Sequence, residues 1–405
     1  MRIENHGVQR YQSYKFELRP NGDQQSQMRR IAGCCRFVFN QALAIQVQRR
    51  EQGQSELVFA QLNLRLAEWR RRPESAWLAE VPFGCLQQAL RNLERAFARY
   101  NGRQAQFPRF KRRGLSDSFR YSGSNELSNE LKLDQANGRI LLPRLGWLRY
   151  RNSRDVLGRI RNVTVSSSGK KWFVSILAVR EVERPVARGP AVGIDMGIVR
   201  FATLSDGKFY TPLNSFRRHE NALAAAQRAL SRKTKYSNNW RKEKSRVQRI
   251  YVRIANARGD YLHKISNAIS QSHAVVCVED LQVSAMSKSD GEAAKRRLNR
   301  SILDQGWFEF RRQLEYKLRW NGGRLIAVSP RNTSITCPRC KHVGKENRLN
   351  QAQFECAVCG LQENADLVGA LNVLRAGHAR LACAETSPAY GASGQEPTDA
   401  FSQDF

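Results

Sequence analysis

Along the first hundred positions, apolar residues recur at the three- and four-residue intervals of a helix face. Met28, Ile31, Cys35, Val38 and Leu43 form one stripe and predict a helix from Gln25 to Arg50. A second helix is expected from about Val58 to Arg71. A third is expected over Phe83 to Tyr100, where Leu86, Leu90, Leu93 and Phe97 share a face. One alternating strand, Tyr14 to Leu18, precedes them, and Asn21 to Asp23 reads as the turn that opens the first helix. The period then falls to two. Phe119–Tyr121, Arg139–Leu142, Trp147–Arg151, Asn162–Ser166 and Trp172–Val179 alternate between glycine breaks, the pattern of a small β-barrel or twisted sheet. Arg184 to Pro190 holds two prolines and a glycine and reads as a linker.

Beyond the linker, strands and helices alternate. Ala191-Val192-Gly193-Ile194-Asp195-Met196-Gly197 is a buried strand ending in a carboxylate, and Phe201–Leu204 and Phe209–Pro212 follow as hairpin strands around Asp206-Gly207. Asn214 to Ser272 is helical. Ala274–Val278 is a strand ending at Glu279-Asp280, and Glu292–Arg300 starts a basic helix. Trp307–Asn321 is an amphipathic helix stopped by Gly322-Gly323. Arg324–Val328 is the last strand, and Asp366–Arg375 a closing helix. Three hairpin strands followed by helix, strand, helix, strand and helix is the RNase H-type order, so the expected class is α/β and multidomain.

Charge narrows the function. The 405 residues carry 68 Lys and Arg against 36 Asp and Glu, a net +32. A surplus of that size repels itself unless a polyanion neutralises it, and nucleic acid is the usual one. Asn214–Ser272 holds fourteen cations against three acids, a net +11 where a surface ion-pair helix would balance its signs. Arg99 to Arg113 has no acid and interleaves Arg103, Arg109, Lys111 and Arg112 with Phe107 and Phe110. Cations for phosphate beside aromatics for bases is a nucleic-acid pattern, and a solvated basic loop is the alternative. No apolar run reaches the ~20 residues of a membrane span. Met1 to Arg10 lacks the apolar stretch of a signal peptide, so no membrane partner and a cytoplasmic location are expected.

Cys337-Pro338-Arg339-Cys340 and Cys356-Ala357-Val358-Cys359 give the spacing C-x2-C-x15-C-x2-C. Four thiolates so spaced can close tetrahedrally on one Zn2+ and leave no open position, which makes the expected zinc structural. The motif sits between the strand Arg324–Val328 and the carboxylate Asp366, as a ribbon interrupting a nuclease domain would. Cys34, Cys35, Cys85 and Cys277 lie in apolar surroundings and are expected to be buried thiols.

Asp195, Glu279 and Asp366 take the three acid positions of an RNase H-type arrangement: a central strand, a neighbouring strand end and a late helix. Each alone is unremarkable as a strand end or helix cap. Together, in that order and in so basic a chain, they suit two Mg2+ ions that cut a phosphodiester.

The motifs jointly resemble the TnpB family, transposon-encoded RNA-guided nucleases related to type V CRISPR effectors. Tyr14–Pro20 with Gly33–Asn40 resembles the family's opening, and Phe107-Pro108-Arg109-Phe110-Lys111 its early basic motif. Leu145-Gly146-Trp147 falls where the family has a similar Leu-Gly-Trp. Gly193–Gly197 and Val278-Glu279-Asp280-Leu281 match the first two RuvC motifs, and Asp260–Lys264 the end of the basic helical hairpin. Gly306-Trp307 with Phe310 and Gln313–Lys317 match the following helix, and the cysteine pairs the zinc ribbon. The third RuvC motif departs: Asn364-Ala365-Asp366-Leu367-Val368-Gly369-Ala370-Leu371-Asn372 stands where the family often has Asp-Arg-Asp-x-Asn-Ala-Ala-x-Asn. Asp366 and Asn372 remain.

The resemblance implies an RNA-guided DNA endonuclease. Its guide RNA would come from the transposon end, and its double-stranded DNA target would be chosen by pairing beside a short flanking motif. One protein per RNA, and a nucleoid-associated location when bound to DNA, are implied with it. The implied metals are two Mg2+ on Asp195, Glu279 and Asp366 and one structural Zn2+ on the cysteines. Arg258, His263 and Lys264 are further implied nucleic-acid contacts, with helix packing an equal reading for His263. The expected domains are a wedge-like β-barrel (1–24 and 115–185), a helical recognition lobe (25–114), a RuvC nuclease domain (191–334 and 361–378), a zinc ribbon (335–360) and a disordered, acid-rich tail (379–405). A non-cleaving RNA-guided repressor and an RNase H-fold transposase or integrase are the alternatives.

Overall fold

The computed structural model describes residues 7–114, 117–122, 131–169, 171–281, 286 and 293–385. They divide into two compact units, 7–182 and 183–385.

In the first unit, β1 (Val8–Arg19) leads into α1 (Gly22–Glu51). Asn21 starts that helix with a reciprocal cap: its side chain accepts from the Gln24 amide, and the Gln24 side chain accepts from the Asn21 amide. α2 (Phe59–Arg71), a 3-10 segment at Pro73–Glu80 and α3 (Phe83–Asn101) complete the helical part. The rest is a seven-stranded antiparallel sheet of β1 with β2 (Ser118–Ser122), β3 (Lys132–Asp134), β4 (Arg139–Leu142), β5 (Gly146–Tyr150), β6 (Arg159–Ser168) and β7 (Lys171–Val182). The order is β2-β6-β7-β1-β5-β4-β3, and among the described residues the edges β2 and β3 are not paired. One apolar core joins the helices to the sheet, with Met28, Leu43, Leu90 and Leu93 beside Phe16, Tyr121 and Ile176. Cys34, Cys35 and Cys85 are buried in it, as their surroundings predict.

The second unit holds a five-stranded sheet of order β10-β9-β8-β11-β12. β8 (Ala191–Asp195), β11 (Val275–Glu279) and β12 (Arg324–Val328) are parallel, while β9 (Ala202–Leu204) and β10 (Phe209–Tyr210) run antiparallel beside β8. The segment read as helical from Asn214 to Ser272 is two helices, α4 (Ser215–Ser231) and α5 (Asn238–Ser272), with a turn between them. α6 (Ala293–Gln305) and α7 (Trp307–Trp320) follow β11. Alternation sorts the strand residues. Val192, Ile194, Val276 and Val278 face α5 and α7, meeting Leu262, Ile265, Trp307, Phe310 and Leu314. The opposite face receives the last helix, α8 (Ala365–Glu385), with Cys277, Ile326, Val328 and Val373 between them.

Two sequence expectations change here. The short hairpin β13 (Gln353–Glu355) with β14 (Gln362–Asn364) carries the second cysteine pair and was not foreseen. The tail expected to be disordered from Ala379 is helical to Glu385. Ala379, Arg380, Leu381 and Ala382 are strong helix formers, Leu381 packs against the cluster of Cys277, Ile326, Val328 and Val373, and Arg380 donates to the Ala327 carbonyl. Residues 386–405, the rest of that expected tail, lie outside the described residues.

Candidate active site and metal centre

Two periodicities bring the three acids together. β8 and β11 are parallel, with Cys277 opposite Gly193 and Val278 opposite Ile194, and each strand ends one residue later, in Asp195 and Glu279. Both acids therefore share the side-chain parity of Gly193 and Cys277, on the α8 face. On α8, Asp366, Ala370, Val373 and Gly377 form one stripe at four- and three-residue intervals, and the stripe lies on the sheet. No side chain separates helix from strand at Gly193: a Cβ there would meet the Ala370 carbonyl at 2.1 Å and the Leu374 amide at 2.6 Å. Gly369 leaves the same freedom above Asp195, whose Oδ2 would lie 2.9 Å from an added Cβ.

The site crowds negative charge that Arg348 offsets only in part. Burial, then Glu279 and Asp366, push the Asp195 carboxyl up to about 7. Burial also raises Glu279, which is 8% exposed, against the opposing pull of a hydrogen bond from Thr333. The Thr333 hydroxyl donates to Glu279 Oε1 at 2.6 Å. Arg348, which follows a 3-10 turn in the ribbon, lowers both carboxyls through its charge. Sequence reasoning missed Thr333 and Arg348, because only the folded loop after β12 and the folded ribbon bring them to the strand ends. Three hard oxygen donors around a charge deficit fit divalent cations such as Mg2+. Among the described residues, the three carboxylates do not form a single-ion cluster as tight as the cysteines'. Two ions between spread carboxylates need no such cluster.

Both departures in the third motif have structural explanations. Asn364 Oδ1 accepts from the amides of Asp366 and Leu367 at 3.1 and 3.3 Å, so it caps α8 as an aspartate would. Val368 is fully buried with Ala365, Phe354, Cys337 and Cys356, and so packs the helix onto the cysteine ribbon.

The four cysteine Sγ atoms all lie within 4.8 Å of one another. Cys337–Cys359 at 3.5 Å and Cys340–Cys356 at 3.4 Å are far beyond a disulfide. They approach the ~3.8 Å edge of a tetrahedron with 2.3 Å metal–sulfur bonds. Burial raises the Cys337 thiol, but the Cys340 and Arg339 amides and the neighbouring thiols lower it. The His342 amide lowers Cys340, but burial and its neighbours Cys356, Cys359 and Cys337 raise it, so the clustered thiols titrate as one set. Asn347, fully buried, ties the knuckles together: its Nδ2 donates to the Ile335 and His342 carbonyls, and its Oδ1 accepts from the Ala357 amide.

The expected nucleic-acid contacts divide. Arg103, Arg109, Arg112, His263 and Lys264 are exposed, and Phe110, 53% exposed, lines an open groove of about 620 Å3 with Arg30, Arg36, Phe37 and Trp77. Three others turn inward. Phe107 packs edge-on against Phe97 and Tyr100. Lys111 Nζ lies 4.3 Å from the Phe39 ring centre, and burial lowers its pKa. Arg258 donates to the Leu303 carbonyl and sits 3.7 Å from Asp304. Side-chain type marks an aromatic or cation in such a stretch, but not whether the fold consumes it.

Three family models match. One described as a probable transposase (OrfB of IS605) covers residues 173–290, one described as the TNB domain of Cas12f1-like proteins covers 307–373, and one described as a helix-turn-helix domain covers 10–55. Over that last stretch the structure has β1 and the single helix α1. The chain is 50% identical to "Putative RNA-guided DNA endonuclease InsQ" of Escherichia coli (strain K12), over 97% of this chain and 98% of that protein. It is 34% identical to a "Putative RNA-guided DNA endonuclease" of Streptomyces pristinaespiralis, over 92% and 91%. A cryo-EM structure of a Cas12f1–sgRNA–target DNA complex shares the fold at a TM-score of 0.54 and 12% identity, over 91% of this chain and 99% of that one.

Proposed function

Since the chain belongs to the TnpB (IS605 OrfB) family, we propose that it is an RNA-guided DNA endonuclease whose cutting centre is Asp195, Glu279 and Asp366. The observation that carries this is the convergence of the three acids: two strand ends of equal parity and one helix stripe, on one face of a sheet in a chain of net charge +32. Strand order β10-β9-β8-β11-β12 supports reading 191–334 and 361–378 as a RuvC, RNase H-like domain interrupted by a zinc ribbon at 335–360. We read the seven-stranded sheet, which is open between β2 and β3 among the described residues rather than closed as the expected barrel, as the wedge-like domain, and residues 25–114 as the lobe that grips nucleic acid.

The three carboxylates would hold two Mg2+, which supply an activated water and countercharge for the leaving oxygen. The chain's own residues do the rest. The two strands fix Asp195 and Glu279 in register, and α8 brings Asp366 to them across Gly193. The Thr333 hydroxyl orients one Glu279 oxygen, and Arg348 offsets charge between the acids. The cysteines would hold Zn2+ as a structural ion, joining the ribbon to α8 through Val368. Arg103, Arg109, Phe110, Arg112, His263 and Lys264 are the exposed groups placed to meet the RNA or DNA, mainly at phosphates. The guide would come from the transposon end and pair with one strand of duplex DNA beside a short flanking motif. No helix among the described residues is long and apolar enough to cross a membrane.

The test is to purify the protein with the RNA it retains in cells, sequence that RNA, and measure binding to DNA matching its variable end. Guide-dependent binding by wild type and Asp195→Ala, with cutting by wild type alone, is the expected result. Guide-dependent binding without cutting by wild type would make the chain a repressor, and DNA binding indifferent to RNA would remove the guided reading.

A further inference from the structure

The hairpin of α4 and α5 ends in a turn that the carboxylate chemistry does not use. The Ser237 amide donates to the Thr234 carbonyl across this turn, and Tyr236 is its third residue at φ +71°. That position favours glycine, and a bulky side chain there costs stability. The conformation sets the Tyr236 ring against Trp240, with centroids 5.5 Å apart and planes at 57°. Tyr236 is 66% exposed, and Trp240 is partly exposed in the first turn of α5, where Ser237 caps its amide. Lys235 Nζ lies 5.3 Å from the Tyr236 ring centre, and Lys244 Nζ 4.9 Å from that of Trp240. From Arg232 to Arg246 there are seven cations and one acid.

The hairpin carries this pair well away from the sheet. Leu223, Ala226, Val247, Ile250 and Ile254 give the two helices a core of their own. The first α5 residue in the sheet's core is Leu262, about 36 Å along the helix from Asn238 at 1.5 Å per residue. A group this remote does not touch the bond being cut, so it meets nucleic acid well away from the carboxylates. Stacked duplex bases offer no free face, whereas loops and bulges of a folded RNA do.

We propose that Tyr236 and Trp240 form a stacking platform for unpaired bases of the guide RNA, with Lys235 and Lys244 engaging the flanking phosphates. This rests on the RNA-guided reading above. The exposed Tyr236 ring, buttressed by Trp240, offers a face to a base regardless of sequence once the lysines swing to phosphates, and the lysines add a salt-sensitive share.

The test is a salt titration of guide RNA binding by the full-length protein. Tyr236→Gly suits the turn and keeps the fold, so its Tm should equal or exceed that of wild type. Its RNA affinity should fall about tenfold with an unchanged salt slope, as should that of Trp240→Ala, while Tyr236→Phe binds like wild type. Lys235→Ala with Lys244→Ala should flatten the slope. Wild-type affinity in Tyr236→Gly, or a loss confined to single-stranded DNA, would overturn the platform alone. Failure of the wild type to bind any guide RNA would overturn the platform together with the function on which it rests.

Discussion

Asn372 Nδ2 donates to the Thr333 carbonyl at 2.8 Å, and it also reaches the Thr336 carbonyl at 2.7 Å. One buried amide on α8 therefore fixes the loop that leads from β12 to the first knuckle. That loop carries the hydroxyl that donates to Glu279. Helix, ribbon and strand end are joined through a single polar chain, in which Asn372 is 3% exposed.

Asn372→Ala leaves two buried carbonyls without that donor and is expected to cost about 1–3 kcal/mol. Chemical denaturation measures it. An unchanged midpoint would mean that the loop holds itself.

Thr333→Val keeps the shape and removes the hydroxyl. The hydrogen bond lowers the Glu279 pKa, so its loss raises that pKa further. The acid limb of the cleavage pH profile is then expected to move to higher pH. A limb at the wild-type position would separate Thr333 from Glu279.

Asp195 gives a stability signature without any nucleic acid. Its folded pKa of about 7 lies above the ordinary 3.8, so the unfolded chain releases the proton first. This group then costs stability progressively as pH rises from about 4 to about 7. Without added Mg2+, Asp195→Asn should melt above wild type, by a margin that widens from pH 5 to pH 8. Mg2+ should narrow that margin, because a cation offsets the charge only in wild type. A pH-independent margin would contradict the burial and neighbour effects described for this carboxyl.

Gly193→Ala and Gly369→Ala should differ sharply. The first Cβ strikes backbone of α8, which cannot yield without lifting the helix. The second meets the end of the Asp195 side chain, which can turn aside. The expected outcome is a loss of several kcal/mol, or insoluble protein, for Gly193→Ala, and a near-normal Tm with altered Mg2+ dependence for Gly369→Ala. Equal melting temperatures would deny the close approach.

Treatment with a chelator followed by return to Mg2+ buffer, or Cys356→Ser, should unfold the ribbon and free Val368 and Ala365 from their core. DNA cutting should then fall although no cysteine is among the acids. Metal analysis should give one zinc per chain. An active, zinc-free protein would make the ribbon dispensable.

Much of the site was legible in the sequence because it rests on short periodicities. Strand alternation and the cysteine spacing can be read locally, and Asp195 and Glu279 each close an apolar run. What could not be read came from tertiary folding. Arg348 reaches the acids through a ribbon turn with no periodic mark. Phe107 and Lys111 look like a nucleic-acid surface until α1 and α3 absorb their side chains. Asn364 and Val368 look like defects in a motif until one caps a helix and the other fills a core. The final helix runs past the expected tail boundary at Ala379, because the acid-rich composition of the tail as a whole hides a stretch, Ala379 to Glu385, that favours helix.

Plasmid cleavage by the protein bound to the RNA it retains in cells, against a library of flanking sequences, tests the central claim most directly. Linear product that requires a matching guide and Mg2+, and that disappears with EDTA and in Asp195→Ala, is the predicted result. Cleavage that persists in Asp195→Ala, or guide-directed binding by wild type with no cut under any flanking sequence, would contradict it.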